Sequence, residues 1–177
     1  FTLNMIAFGK IRIEVGGNGF NSTQSVADGN WHHIAVTYDH SAATKLRMYI
    51  DGVLEASNNF TQSVNTANSG IRIGRRVDGV NYFDGIIDEV RIWNVVRTQT
   101  EISASMNSEF CSIPTGLVAY YKFNQGTAAG TNTGITTLND NVGTNDGTLN
   151  GFALTGSSSN WVTGKSLNTG STTCLLY

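Results

Sequence analysis

The sequence predicts an all-β fold, an antiparallel jelly-roll β-sandwich with one short helix, and three observations carry that expectation. Apolar and polar residues alternate over short runs, the pattern of strands with one buried face. Those runs are bounded by Gly, Asn, Asp or Ser. Only one stretch, around Glu101, carries helix signals.

The elements follow in order. Lys10 to Val15 places Ile11, Ile13 and Val15 on one face and Lys10, Arg12 and Glu14 on the other. Ile34 and Val36 alternate with Ala35 and Thr37, and Leu46, Met48 and Ile50 alternate with Lys45, Arg47 and Tyr49. Asp51-Gly52 supplies the residues a tight hairpin needs at positive φ, and Val53 to Ala56 returns as the partner strand. Ile71 and Ile73, flanking Arg72, predict a further short strand. Thr98 or Thr100 can cap a helix of two to three turns, with Glu101 in its first turn and Ile102 and Met106 four apart on one face. Half-buried strands of this kind belong to antiparallel sheets stacked as a sandwich.

The composition shifts after Pro114, the only proline, which marks the expected seam between two structural units, 1–113 and 114–177. Gly116 to Phe123 reads as a strand, Asn124 to Thr148 is rich in Gly, Asn and Thr, and short strands are expected in Thr148 to Leu154 and at Trp161-Val162.

With 177 residues, 40% of them hydrophobic, the chain can build a real core. Charged residues make up only 14%, below the usual quarter, so Ser, Thr, Asn and Gly must form much of the surface. A net charge of −2 gives no electrostatic reason to expect nucleic acid or an anionic membrane as partner. No apolar run approaches the roughly 18 residues of a membrane-spanning helix, so membrane insertion is not expected. Phe1 opens directly on strand-like sequence with no signal peptide, and the chain is expected to be a processed or truncated piece. Cys111 and Cys174 lack any CxxC metal spacing; they are read either as one disulfide or as two independent small hydrophobes.

WHHIAVTYD from Trp31, YIDG from Tyr49 and FDGIIDEVRIWN from Phe83 occur in that order before the helix. This combination resembles the laminin-G-like branch of the concanavalin A-like jelly rolls, as found in large bacterial surface proteins, and the likeness spans Lys10 to Met106. Such a resemblance implies a secreted or cell-surface location and a binding role. Relative to that family the early strands are missing, and 1–113 reads as the C-terminal part of a laminin-G-like sandwich. The later segments GLVAYYKFNQG and DNVGTNDGTLNGF resemble the opening strand and loop of such a domain. They are expected either to complete the sandwich in a permuted arrangement or to open a following module.

Catalysis is not expected. Retaining glycosidases of this fold need two carboxylates about 5 Å apart, which i and i+2 on a strand can supply. The family-16 hydrolases meet this with Glu-x-Asp-x-x-Glu, whereas this chain has Ile86, Asp88 and Arg91 at those places. Asp88 and Glu89 are adjacent and point to opposite faces of a regular strand. Glu89 shares parity with Arg91 and can pair with it, while Asp88 needs a partner or a bulge. His32 and His33 are read as structural, with no His or Cys nearby to complete a zinc site.

Calcium is the possible cofactor, because oxygen-rich loops suit a hard cation. Its candidate ligands are Asp28, Asp88, Asp140, Asn141 and Asp146, the alternative for the last three being an Asx-rich series of turns. Candidate ligand-binding aromatics are Tyr82, Tyr120, Tyr121 and Trp161. The expected function is therefore a non-catalytic carbohydrate- or surface-ligand-binding adhesion module of a larger protein, with a glycan or extracellular surface ligand as partner. One alternative is a structural module that packs against neighbouring modules or chains by strand addition. A glycoside hydrolase is the third reading.

Overall fold

The alternation of Lys10 to Val15 is realised in full: Ile11, Ile13 and Val15 are buried and their polar neighbours lie toward solvent. This is seen in a computed structural model of the chain, which describes residues 2–61, 70–76 and 82–169. Two compact units are present, one formed by residues 1–85 and 96–106, the other by residues 86–95 and 107–177.

In the first unit, β1 (Thr2–Met5), β2 (Lys10–Val15) and β3 (Asn18–Ser25) form an antiparallel sheet in that order. A second antiparallel sheet comprises β4 (Ile34–Tyr38), β5 (Leu46–Ile50) and β6 (Val53–Asn58). Ile11, Ile13, Val15 and Val26 from the first sheet's region meet Leu46, Met48 and Ile50 from the second in one core. Burial of those side chains is the main stabilising term, on the order of 1.5–3 kcal/mol for each large apolar side chain. The period-2 pattern of two sheets thus becomes a sandwich core.

Asp51-Gly52 forms the two-residue turn between β5 and β6, closing on the Ile50–Val53 pair. Both residues have positive φ, 50° and 77°, as this hairpin class demands. The helix α1 (Gln99–Ser105) is capped by Thr98, whose hydroxyl accepts from the Glu101 N–H while the Glu101 carboxylate accepts from the Thr98 N–H. Ser103 donates its hydroxyl to the Gly52 carbonyl at 3.0 Å. A Cβ on Gly52 would stand 2.6 Å from Ser103 Oγ. Gly52 is therefore required twice, by the turn and by the helix seated on it.

In the second unit, β7 (Val90–Trp93) pairs antiparallel with β9 (Leu117–Tyr121), Arg91 standing opposite Tyr120. β8 (Ser108–Glu109) and β12 (Asn168–Thr169) form a short parallel pair. β10 (Thr137–Leu138) and β11 (Gly147–Thr148) form a two-residue antiparallel ladder. Leu117, Ala119, Tyr120, Tyr121, Leu138 and Trp161 are its buried apolar residues.

Three expected strands differ. The one around Ile71 and Ile73 does not form: Ile71 is 67% exposed, so its alternation has no buried face to serve. Among the described residues, that segment keeps a bridge between Arg75 and Tyr82. In Thr148 to Leu154 only Thr148 joins a ladder, and Gly151 at φ 65° turns the chain away. Trp161-Val162 joins no ladder, and Trp161 is held by burial and by the Phe152 ring at 5.3 Å.

Gly52→Ala should lower stability by about 1–3 kcal/mol, since it places a Cβ in the left-handed region and against the helix. Urea unfolding followed by circular dichroism measures this. An unchanged midpoint would contradict the double requirement.

Candidate functional site

The two resemblance-bearing segments turn out to be internally bonded. His32 Nδ1 lies 2.8 Å from Asp51 Oδ2 and its Nε2 lies 3.0 Å from Asp28 Oδ1. The other Asp51 oxygen accepts from the His33 N–H at 2.9 Å. The hydrogen bonds His32 donates to Asp51 and then to Asp28 raise its pKa above the ordinary value. The hydrogen bond from His32, with the Asn30 N–H, holds Asp28 at about 2. The carboxylate of the Asp51-Gly52 turn clamps His32 just before β4. Asp28 is one jaw of that clamp.

The Ile-Asp-Glu-Val-Arg segment is a second internal network. Glu89, at φ 56°, leaves the regular strand just before β7. Its carboxylate accepts from Arg91 Nη2 at 2.6 Å and from the Tyr120 hydroxyl. The Arg91 guanidinium stacks over Phe110 at 4.1 Å and Tyr120 at 5.2 Å. Burial pushes Glu89 up, against the pull of its two donors. Burial and the Glu89 hydrogen bond push Tyr120 up. The expected Glu89–Arg91 contact is present. Asp88 finds its partner in the Lys165 N–H at 2.9 Å, and a Cβ on Gly164 would meet Asp88 Oδ2 at 2.4 Å. Burial raises the Asp88 pKa. Both carboxylates of the hydrolase reading are thus engaged by the fold.

Asp140 is buried and organises the loop after β10. Its Oδ1 accepts from the Tyr120 and Val142 N–H groups at 2.9 and 3.0 Å. Its Oδ2 accepts from the Gly143 and Asn145 N–H groups, both at 3.2 Å, and from the Asn145 amide at 3.1 Å. Burial opposes its charge, but these donors outweigh burial and lower its pKa. Its own N–H donates to Asp146 Oδ1 at 2.8 Å. A cation at Asp140 would have to displace donors the loop already supplies. Among the described residues, no group of three or more His, Cys, Asp or Glu side chains converges as a metal site.

Beside this loop lies a cleft of about 210 Å³ whose lining, apart from the calcium candidate Asn141, the sequence analysis did not single out. One wall carries Phe123, Asn124 and Gln125 from the segment after β9, and the other carries Asn139 and Asn141, which flank Asp140. Lys122 and Glu109 complete the lining, paired at 2.7 Å. Glu109 also accepts from the Asn124 amide at 3.2 Å. Gln125 ties the walls together, accepting from the Asn139 N–H at 3.0 Å and donating to the Thr137 carbonyl. Signal for this site was available only as a composition, the Asn-rich run, without the pairing that brings it to β9.

The aromatic candidates separate sharply. Tyr82 is 70% exposed with Arg75 over its ring at 5.8 Å. Tyr120 and Trp161 are only 1% and 4% exposed, and Tyr121 is buried with its hydroxyl on the Asn145 carbonyl. The expectation of ligand stacking on those three is corrected: their rings fill the core and present no face. Cys111 is disulfide-bonded, and Cys174 lies outside the described residues.

Two antiparallel sheets enclosing a core define a β-sandwich of the jelly-roll class. The chain belongs to the concanavalin A-like lectin/glucanases superfamily, whose laminin G model matches residues 1–103. Among solved structures it is similar to a crystal structure from Bacteroides ovatus ATCC 8483 described as a "putative carbohydrate binding protein". The TM-score is 0.58 at 25% identity, covering 75% of this chain. The chain spans 38% of that protein's length. No curated protein matches the sequence. No helix among the described residues is long and apolar enough to cross a membrane.

The raised His32 pKa gives a signed pH dependence. Its folded state binds the proton more tightly than its unfolded state, so this stabilisation is complete below about pH 6.5 and is lost as pH rises through the raised value. Thermal unfolding should show the midpoint falling from about pH 6 to pH 9. His32→Gln should flatten that slope, and an equally steep slope in the variant would contradict the clamp.

Proposed function

We propose that this chain is a non-catalytic carbohydrate-binding module of a larger secreted or cell-surface protein. The observation that carries the reading is the similarity to the Bacteroides ovatus protein, whose description names carbohydrate binding. Membership of a superfamily of lectins and glucanases supports the same ligand class. Because the match covers a minority of that protein, the reading concerns a module and leaves the parent's activity open.

The non-catalytic part of the reading rests on the engaged carboxylates. Glycosidic cleavage needs one carboxyl free to give its proton and another free to attack or activate water. Glu89 is held by Arg91 and Tyr120, Asp88 by the Lys165 N–H, and Asp140 by five N–H donors. The low charge of the chain also suits a neutral polyhydroxyl ligand, which is recognised by amides and rings in preference to ion pairs.

A glycan array probed with the labelled chain tests this, once with calcium and once with a chelator. Binding to a restricted set of glycans, with no release of reducing ends on prolonged incubation, is the expected result. A blank array under both conditions contradicts the binding reading. Steady hydrolysis of a bound glycan contradicts the non-catalytic one. The calcium comparison tests separately whether a cation takes part.

A further inference from the structure

We propose that the cleft walled by Phe123 and Asn124 on one side and Asn139 and Asn141 on the other receives a single uncharged hexose unit of a glycan. The inference rests on the carbohydrate-binding reading and deepens it by naming a site and a ligand class.

Size limits the occupant first. The cleft measures about 210 Å³, below the roughly 300–1,000 Å³ of pockets that enclose drug-sized ligands. One pyranose ring suits it, with the rest of a glycan outside. Charge limits it next. Lys122 is the cation of the lining, and its ammonium lies 2.7 Å from Glu109 and over the Tyr120 ring at 5.3 Å. The second Glu109 oxygen accepts from Asn124. Neither charge is left to pair with a charged sugar. A uronate would enter beside a carboxylate with no spare cation, and an amino sugar would find the carboxylate already donated to.

The hydrogen-bonding groups that remain are amides. Asn141 donates to the Asn139 carbonyl at 3.2 Å, which leaves its Oδ1 open. Asn124 likewise keeps its Oδ1. Among the described residues, no hydrogen bond engages the Asn139 side chain, so it offers both a donor and an acceptor. Sugar hydroxyls donate and accept, and an open amide answers both. Phe123, half-buried in the lining at φ 57°, supplies the apolar surface that the C–H groups of a pyranose need. These groups are fixed in advance: Gln125 ties wall to wall, the Asn141 N–H donates to the Tyr120 carbonyl at 2.8 Å, and Asp140 holds the backbone that follows at Val142 and Gly143. Preorganisation of this kind removes part of the entropy cost of binding.

Isothermal titration of the whole chain tests the site and the ligand class together. The probes are neutral gluco-, manno- and galacto-configured hexasaccharides and a charged hexagalacturonate. Wild type is compared with N139A/N141A, with Phe123→Ala, and with Tyr82→Ala as a distant exposed aromatic, each checked for an unchanged circular dichroism spectrum. One neutral hexasaccharide is expected to bind, to weaken at least about tenfold in N139A/N141A and in Phe123→Ala, and to be unaffected by Tyr82→Ala, because each lost polar or ring contact is worth about 1–2 kcal/mol. Preferential binding of hexagalacturonate would overturn the ligand class while leaving carbohydrate binding intact. Neutral-sugar binding that survives N139A/N141A, or that is lost only in Tyr82→Ala, would overturn the site. No binding of any sugar here or on the array would overturn both readings.

Discussion

The second unit's loop surface depends on one buried anion, the carboxylate of Asp140. An ionised group removed from water is tolerated only when its lone pairs are filled, and here five N–H groups fill them. One donor is the Tyr120 N–H of β9, and the others come from residues 142–145. The strand and the loop are thereby joined at a single side chain. The adjoining β10–β11 ladder is only two residue pairs long, so it contributes little rigidity of its own. Asn139 and Asn141 flank Asp140, with the Asn141 N–H donating to the Tyr120 carbonyl at 2.8 Å and the Asn139 N–H to Gln125 at 3.0 Å. In this surface a core-type constraint positions polar loop groups.

The family-defining segments perform different work. Asp51 turns the β5–β6 hairpin, clamps His32 and caps the His33 N–H, while Gly52 makes room for α1. Glu89, Arg91 and Tyr120 form an ion-pair and ring stack that lets charge exist inside the second unit. Their chemistry is consumed by the fold, which is why a catalytic reading of the same carboxylates finds none of them available.

Much of the first unit was legible in the sequence because a half-buried strand writes its burial in alternation. Ile11, Ile13, Val15, Leu46, Met48 and Ile50 all lie where parity placed them, and Thr98 caps the helix. Ile71 and Ile73 carry the same local pattern without a core to face, and alternation alone cannot distinguish the two cases. The candidate site was less legible. Tyr120, Tyr121 and Trp161 read as well for a binding face as for a core, since burial is decided by tertiary packing. Asp140 was visible as part of an Asx-rich run, but its Tyr120 partner is 20 positions away. Side-chain-to-backbone bonds over that distance leave no periodic trace, so the cleft they build could not be read from composition.

Amide hydrogen exchange on wild type and Asp140→Ala tests the central claim most directly. If Asp140 holds the loop to β9, the N–H groups of Tyr120, Val142, Gly143 and Asn145 are protected in wild type, and those of Val142, Gly143 and Asn145 exchange at least about tenfold faster in the variant, while Ile13 and Met48 keep their protection. Equal protection of the 142–145 amides in both proteins would contradict it.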